Sequence, residues 1–148
     1  MTYYTILTFL HILFVVLFVG SGAGLAILWK LSRTVDTTQR LPLVEGIAAI
    51  SQKVTVMAGS FLLLVGILML ISRPALLSAG ALWYVKIILG LMLVGLSHAA
   101  HGKIKKIRAA LDENEVDTGS EKFWDMITKV MPVLAIVTLF LGFWLTHG

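Results

Sequence analysis

The chain contains no cysteine. Disulfides, thiolate nucleophiles and Cys-ligated clusters are therefore excluded. Charge is scarce too: Asp, Glu, Lys and Arg make up 14% of 148 residues, against 58% hydrophobic. A water-soluble domain this short could not bury so much apolar surface, because its surface-to-volume ratio is too high. No Walker loop, dinucleotide fingerprint, HExxH or nucleophile elbow occurs, which leaves hydrolysis and nucleotide-driven transport without a motif. The formal charge of +4 does not point to nucleic acid. Most basic residues flank apolar runs, where such residues set topology and meet anionic lipid headgroups.

Four apolar runs are present, at about residues 4–29, 54–71, 82–100 and 131–145. Each approaches the ~20 residues that cross ~30 Å of hydrocarbon. The expected fold class is all-α: an integral membrane four-helix bundle forming one domain over residues 1–148. The first run lacks a basic leader and is too long for a signal-peptide core, so it reads as a span. The second helix is expected to begin before its apolar run, with Pro42 in the first turn and Leu43, Val44, Ile47 and Ile50 at helical spacing. The fourth is expected to start near Phe123 with Ser120 as N-cap, and to kink at Pro132. Arg73-Pro74 and Ser78-Ala79-Gly80 mark a short turn between the second and third runs.

Ten basic residues flank the two long connections: Lys30, Arg33, Arg40 and Lys53 at the first, with Lys103, Lys105, Lys106, Arg108, Lys122 and Lys129 at the second. Only Arg73 and Lys86 fall toward the opposite face. The positive-inside rule then puts both long loops in the cytoplasm and both termini outside. Gly20, Gly22 and Gly24 cluster in the first run, Gly59 and Gly66 lie in the second, and Gly90 and Gly95 in the third. Small residues allow close helix approach in lipid, and they also leave room for a flat cofactor.

Polar groups in hydrocarbon are costly and mark candidate sites. His11, Lys86, His98 and His101 lead this group, with Thr8, Ser60 and Ser97 behind them. His11 stands among Phe9, Leu10, Ile12 and Leu13, roughly 10 Å below the outer end at ~1.5 Å per residue. A neutral imidazole there suits an iron ligand, or equally a hydrogen bond to a neighbouring helix. Lys86 follows Trp83 by three residues and descends from the same face, so its depth matches that of His11. It suits pairing with a propionate or substrate carboxylate, or snorkelling outward. His98 and His101 share one helix face at the inner end, His98 being the deeper and His101 the one expected to meet water and phosphate. His98 is roughly 15 Å or more from the Lys86 level, so His11 and His98 imply separate metal sites. Met69 and Met57 are second-ligand candidates that more often reflect packing, and His147 is expected to be exposed.

At these positions a family resemblance emerges. Leu10-His11-Ile12-Leu13-Phe14-Val15-Val16, leading into Gly20, resembles the first-helix motif of HemJ-type protoporphyrinogen oxidases and of related CopD-like four-helix membrane proteins. Trp83, Lys86 and His98, followed by Gly102-Lys103-Ile104-Lys105-Lys106, are similar to the third helix of that group, and Phe123 to Pro132 to its last. The resemblance implies one or two b-type haems, with His11 as axial ligand, Lys86 as the essential residue nearby and His98 as a further cofactor position. It implies protoporphyrinogen IX oxidation, or electron transfer with a porphyrin or quinone, in a bacterial inner membrane with periplasmic termini. The chain departs from the family pattern at Leu31–Thr34, Thr55–Gly59 and Lys129–Val130, and an electron-transfer relative or a subunit of a redox complex is implied equally. Two alternatives remain open. One is a CopD-like copper transporter whose path is lined by His11, Met69 and the third-helix histidines. The other is a non-catalytic subunit or assembly factor whose polar residues pair between helices and whose glycine faces receive partner helices, with a homo-oligomer or a larger redox complex as the expected assembly.

Overall fold

A computed structural model describes residues 2–147, with side chains described as far as Leu145. The side chain of His147 lies outside the described residues. The chain is all-α, and four of its helical stretches are long and apolar enough to cross a membrane. Helix α1 spans Tyr3–Ser32. Helix α2, Thr37–Ile50, passes through a π-helical stretch, Ser51–Val56, into α3, Met57–Ser72. A 3-10 turn, Pro74–Ser78, leads to α4, Ala81–Asp112, and α5 spans Thr118–His147. The termini and the 3-10 turn share one end of the bundle, here the terminal end. The α1–α2 and α4–α5 connections form the loop end.

The helices run well past the apolar runs, and local chemistry explains where they stop. Gly80 precedes α4 at φ +126°, a conformation that favours glycine. Asn114 takes the left-handed conformation after α4, while the Glu115 N–H donates to the Ala110 carbonyl and the Asn114 N–H to that of Leu111. Those two bonds form a Schellman stop. The α5 cap is Asp117 rather than Ser120: the Asp117 carboxylate accepts from the Ser120 amide (3.0 Å) and hydroxyl (2.9 Å). Pro42 sits inside α2, not in its first turn, because the helix already starts at Thr37 after Asp36. Pro132 lies inside α5, as the sequence suggests.

Helix α1 packs along α3 and α4 along α5, and the α1–α5 and α3–α4 seams close the ring. Helices α1 and α4 therefore stand at opposite corners, and side chains from both that meet must do so in the interior. The largest core lies at the loop end, where Trp29, Val44, Ile47, Ile104, Ile107 and Trp124 are buried. A smaller one at mid-bundle joins Phe18, Ala58, Leu93 and Ala135. There a Cβ on Gly59 would lie 2.9 Å from Phe18 Cε2, so this glycine admits the ring. The π-helical stretch places Ser51 and Thr55, both buried, against α1 and α4, and the Thr55 hydroxyl donates to Ser21 (2.9 Å). Only 6–22% of the four most apolar stretches is buried, so most of their side chains lie outside the two cores.

A buried polar cluster locks the loop end. Glu121, 7% exposed, accepts from Arg33 (2.6 Å) and pairs with Arg40. Asp125 accepts from the Trp29 indole (2.8 Å) and faces Arg33 (3.5 Å). Both guanidiniums also lie over the Trp29 ring, 5.7 and 5.6 Å from its centre. The Trp124 indole donates to the Ala100 carbonyl (3.0 Å), which ties α5 to α4. One carboxylate thus joins α1, α2 and α5.

Removing that charge strands two cations. Glu121→Gln is expected to destabilise the fold by roughly 1–3 kcal/mol, below the ~3–5 of a fully buried pair because Arg33 is solvent-screened. Thermal unfolding in detergent, with Lys122→Gln as an exposed control, measures it; equal effects for the two variants refute this role. Asp117 gives a pH signature. The Ser120 amide and hydroxyl bonds hold its carboxyl below the usual aspartate range. A lowered folded value stabilises above the unfolded value of ~3.9 and is lost as pH falls through the folded one. Asp117→Ala is expected to be less stable than the parent at pH 7, with the gap closing below pH ~4 as acid unfolding curves are compared.

Candidate functional site

His11 and Lys86 come from the diagonal helices α1 and α4. Both are partly buried in the terminal half of the bundle, and the Lys86 cation is within electrostatic reach of the imidazole. The His11 ring faces α3 at Gly66, where an added Cβ would lie 4.0 Å from Cε1. Lys86 crosses α5 at Gly142, where an added Cβ would sit 3.3 Å from both Cε and Nζ. Its ammonium also stands 4.9 Å from the centre of the Trp83 ring, a cation–π contact. Gly142 makes room for the Lys86 side chain, whereas a Cβ at Gly66 would meet His11 only in ordinary van der Waals contact.

The His11 Nδ1 is buried and has no hydrogen-bond partner among the described residues. Such a group is costly to leave unmade and calls for an explanation at the site where it occurs. The terminal half supplies little packing to justify it: its buried apolar side chains, Leu7 and Val65, join neither core cluster. The remaining stabilisation at that end comes from contacts such as the Arg73 guanidinium over Tyr4, 3.9 Å from the ring centre.

The other polar residues are placed differently. His98 is exposed on the bundle surface, with Nδ1 2.8 Å from the Val94 carbonyl and Nε2 3.5 Å from the Ser60 hydroxyl. It stands twelve residues along α4 from Lys86, so the structure does not bring it to His11. His101 is half-buried with both ring nitrogens covered and unpaired, unlike the water-facing position expected from its sequence neighbours. Thr8, Ser60 and Ser97 donate to carbonyls three or four residues back (2.9, 2.9 and 2.7 Å), which satisfies them locally. Met57 is 52% exposed and points away from the interior, whereas Met69 is half-buried in α3, one turn beyond Gly66. Among the described residues, no three His, Cys, Asp or Glu side chains converge as a metal cage would require.

The donor set suits a group that needs one imidazole and carries a carboxylate. A haem of b type has both features: His11 would supply an axial nitrogen and Lys86 a cation for a propionate. The α1 glycines contribute nothing to close packing, since a Cβ at Gly20, Gly22 or Gly24 meets nothing within 4 Å. Gly59 and Gly142 are the glycines whose absent side chains matter.

Sequence reasoning missed the Glu121 cluster. Arg33 and Arg40 were read only as topology charges, and Glu121 and Asp125 lie in a stretch of mixed charge. The signal available was Trp29 and Trp124, two large aromatics at the loop end beside those charges; their rings sit 5.5 Å apart. No known family model, curated protein or solved structure matches this chain. The likeness to HemJ-type proteins stands on His11, Trp83, Lys86, His98 and their neighbours alone.

Proposed function

We propose that this chain is a multi-pass membrane protein that binds haem b between its helices and handles electrons there. Its outward-facing apolar surface supports insertion into lipid. The distribution of basic residues supports a cytoplasmic loop end and termini on the outer side, as in a bacterial inner membrane. The observation that carries the haem reading is the covered Nδ1 of the half-buried His11, which has no hydrogen-bond partner among the described residues.

In this reading His11 holds the iron, Lys86 pairs with a carboxylate and the surrounding apolar side chains keep water out. Haem would supply the one-electron chemistry, while the protein sets the ligand, the local charge and the dryness of the site. Oxidation of protoporphyrinogen IX is the specific activity that the resemblance suggests. A carrier passing electrons to a quinone or to a larger complex uses the same residues. Copper transport along a histidine path draws less support, since His98 lies on the surface and apart from His11.

Purified protein from haem-supplied cells is expected to show a Soret band and, with dithionite, the sharpened bands of a reduced b-type haem. His11→Ala is expected to lose at least nine-tenths of that absorbance per mole of folded protein, and His98→Ala to retain most of it. A His11→Ala spectrum identical to the parent's removes His11 as ligand.

A further inference from the structure

A second feature lies away from His11 and Lys86. A cleft of about 210 Å³ opens between α1 and α5, in the half nearer the loop end. Neither His11 nor Lys86 lines it. Val19, Gly22 and Ala23 form one wall, Pro132 and Ile136 the other, and its lining is overwhelmingly apolar.

Two charges beside it distinguish it from a plain apolar groove. Lys30 follows Ala23 by seven residues on α1, and Lys129 precedes Ile136 by seven on α5. Seven residues is close to two helical turns, so each lysine keeps to the side of its helix that a wall residue occupies; Lys30 lies past Ala26 toward the loop end, and Lys129 flanks the α5 wall, whose lining runs on to Trp124. Both are exposed, and neither makes an ion pair among the described residues. Asp125 lies between them in height, but its carboxylate is engaged by the Trp29 indole and Arg33.

We propose that this cleft binds a phospholipid with an anionic headgroup, an acyl chain lying between α1 and α5 and the phosphate between Lys30 and Lys129. The chain supplies apolar contact where the helices leave a gap, and two flexible ammonium groups reach one phosphate at the interface. A second copy of the protein fits less well. Copies related by an axis along the membrane normal carry the same residues at the same depth, which crowds four lysines together. The inference rests on the membrane reading and is independent of haem.

The test is thermal unfolding of delipidated protein in mild detergent, with added dioleoyl phosphatidylglycerol, dioleoyl phosphatidylcholine or glycerol 3-phosphate. Phosphatidylglycerol is expected to raise the Tm by about 4 °C or more beyond phosphatidylcholine, and glycerol 3-phosphate to leave it unchanged. Lys30→Gln with Lys129→Gln is expected to abolish that difference. Gly22→Leu, whose side chain enters open space in the cleft, is expected to abolish the response to both lipids. Equal stabilisation by the two lipids overturns the proposal, as does a full phosphatidylglycerol response in the lysine variant. A glycerol 3-phosphate response of similar size overturns it in favour of a free phosphate site. A native mass spectrum showing a dimer that Gly22→Leu splits overturns it in favour of a second copy. The lysine variant alters only exposed side chains, so it decides the matter even where Gly22→Leu does not fold. Protein that stays soluble without detergent removes the membrane reading itself, whereas detergent-dependent protein with no lipid preference removes only this inference.

Discussion

Glu121 is the joint on which the architecture turns. A carboxylate 7% exposed is tolerable only because Arg33 and Arg40 neutralise it, and they arrive from α1 and α2. The same turn of α5 sends Asp125 to the Trp29 indole and stacks Trp124 beside it. Four helices are thereby fixed at one end by charge, hydrogen bonds and aromatic packing together. Isolated ion pairs at a surface contribute little, whereas a covered network makes each member depend on the others. With the loop end so held, the terminal end can remain sparsely packed and carry polar side chains inward.

That asymmetry relates the fold to the site. Close packing at the loop end and mid-bundle rests on Trp29, Ile47, Ile104 and Phe18, while the terminal half has isolated buried residues and the half-buried polar side chains of His11 and Lys86. Gly142 gives Lys86 room, so an absent side chain helps to shape the site. A site in the sparsely packed half can admit a large group without dismantling the core. The cleft between α1 and α5 lies toward the loop end from His11 and has a separate chemistry, apolar walls with an exposed lysine on each wall helix.

Much of the helical plan was legible because hydrocarbon demands long apolar runs, and these need no tertiary information to recognise. Helix ends were less so. The stretch from Lys103 to Arg108 looks polar, yet Ala100, Ile104, Ile107 and Leu111 keep a buried stripe through it, and α4 continues to Asp112. Asp117 and Ser120 are both good caps three residues apart, and only the geometry shows the carboxylate capping the serine. The π-helical turn at Ser51–Val56 left no composition signal, since it follows from where Ser51 and Thr55 must meet α1. The depth match of His11 and Lys86 was readable from helical rise; that they stand on diagonal helices was not. The Arg33–Glu121 pair spans 88 residues of sequence, beyond any local pattern. The outward position of His98 was in principle legible, because Val94, Ser97 and Ala100 set the buried face of α4.

The central claim is that the His11 imidazole grips iron, and ligand complementation tests it without confusing ligation with folding. His11→Gly protein, expressed with ample haem, would be purified with and without free imidazole in the buffer. The account predicts that haem absorbance is lost without imidazole and largely restored when it is added, because the small ligand refills the vacated position. Identical spectra from the parent and from both His11→Gly preparations would contradict it.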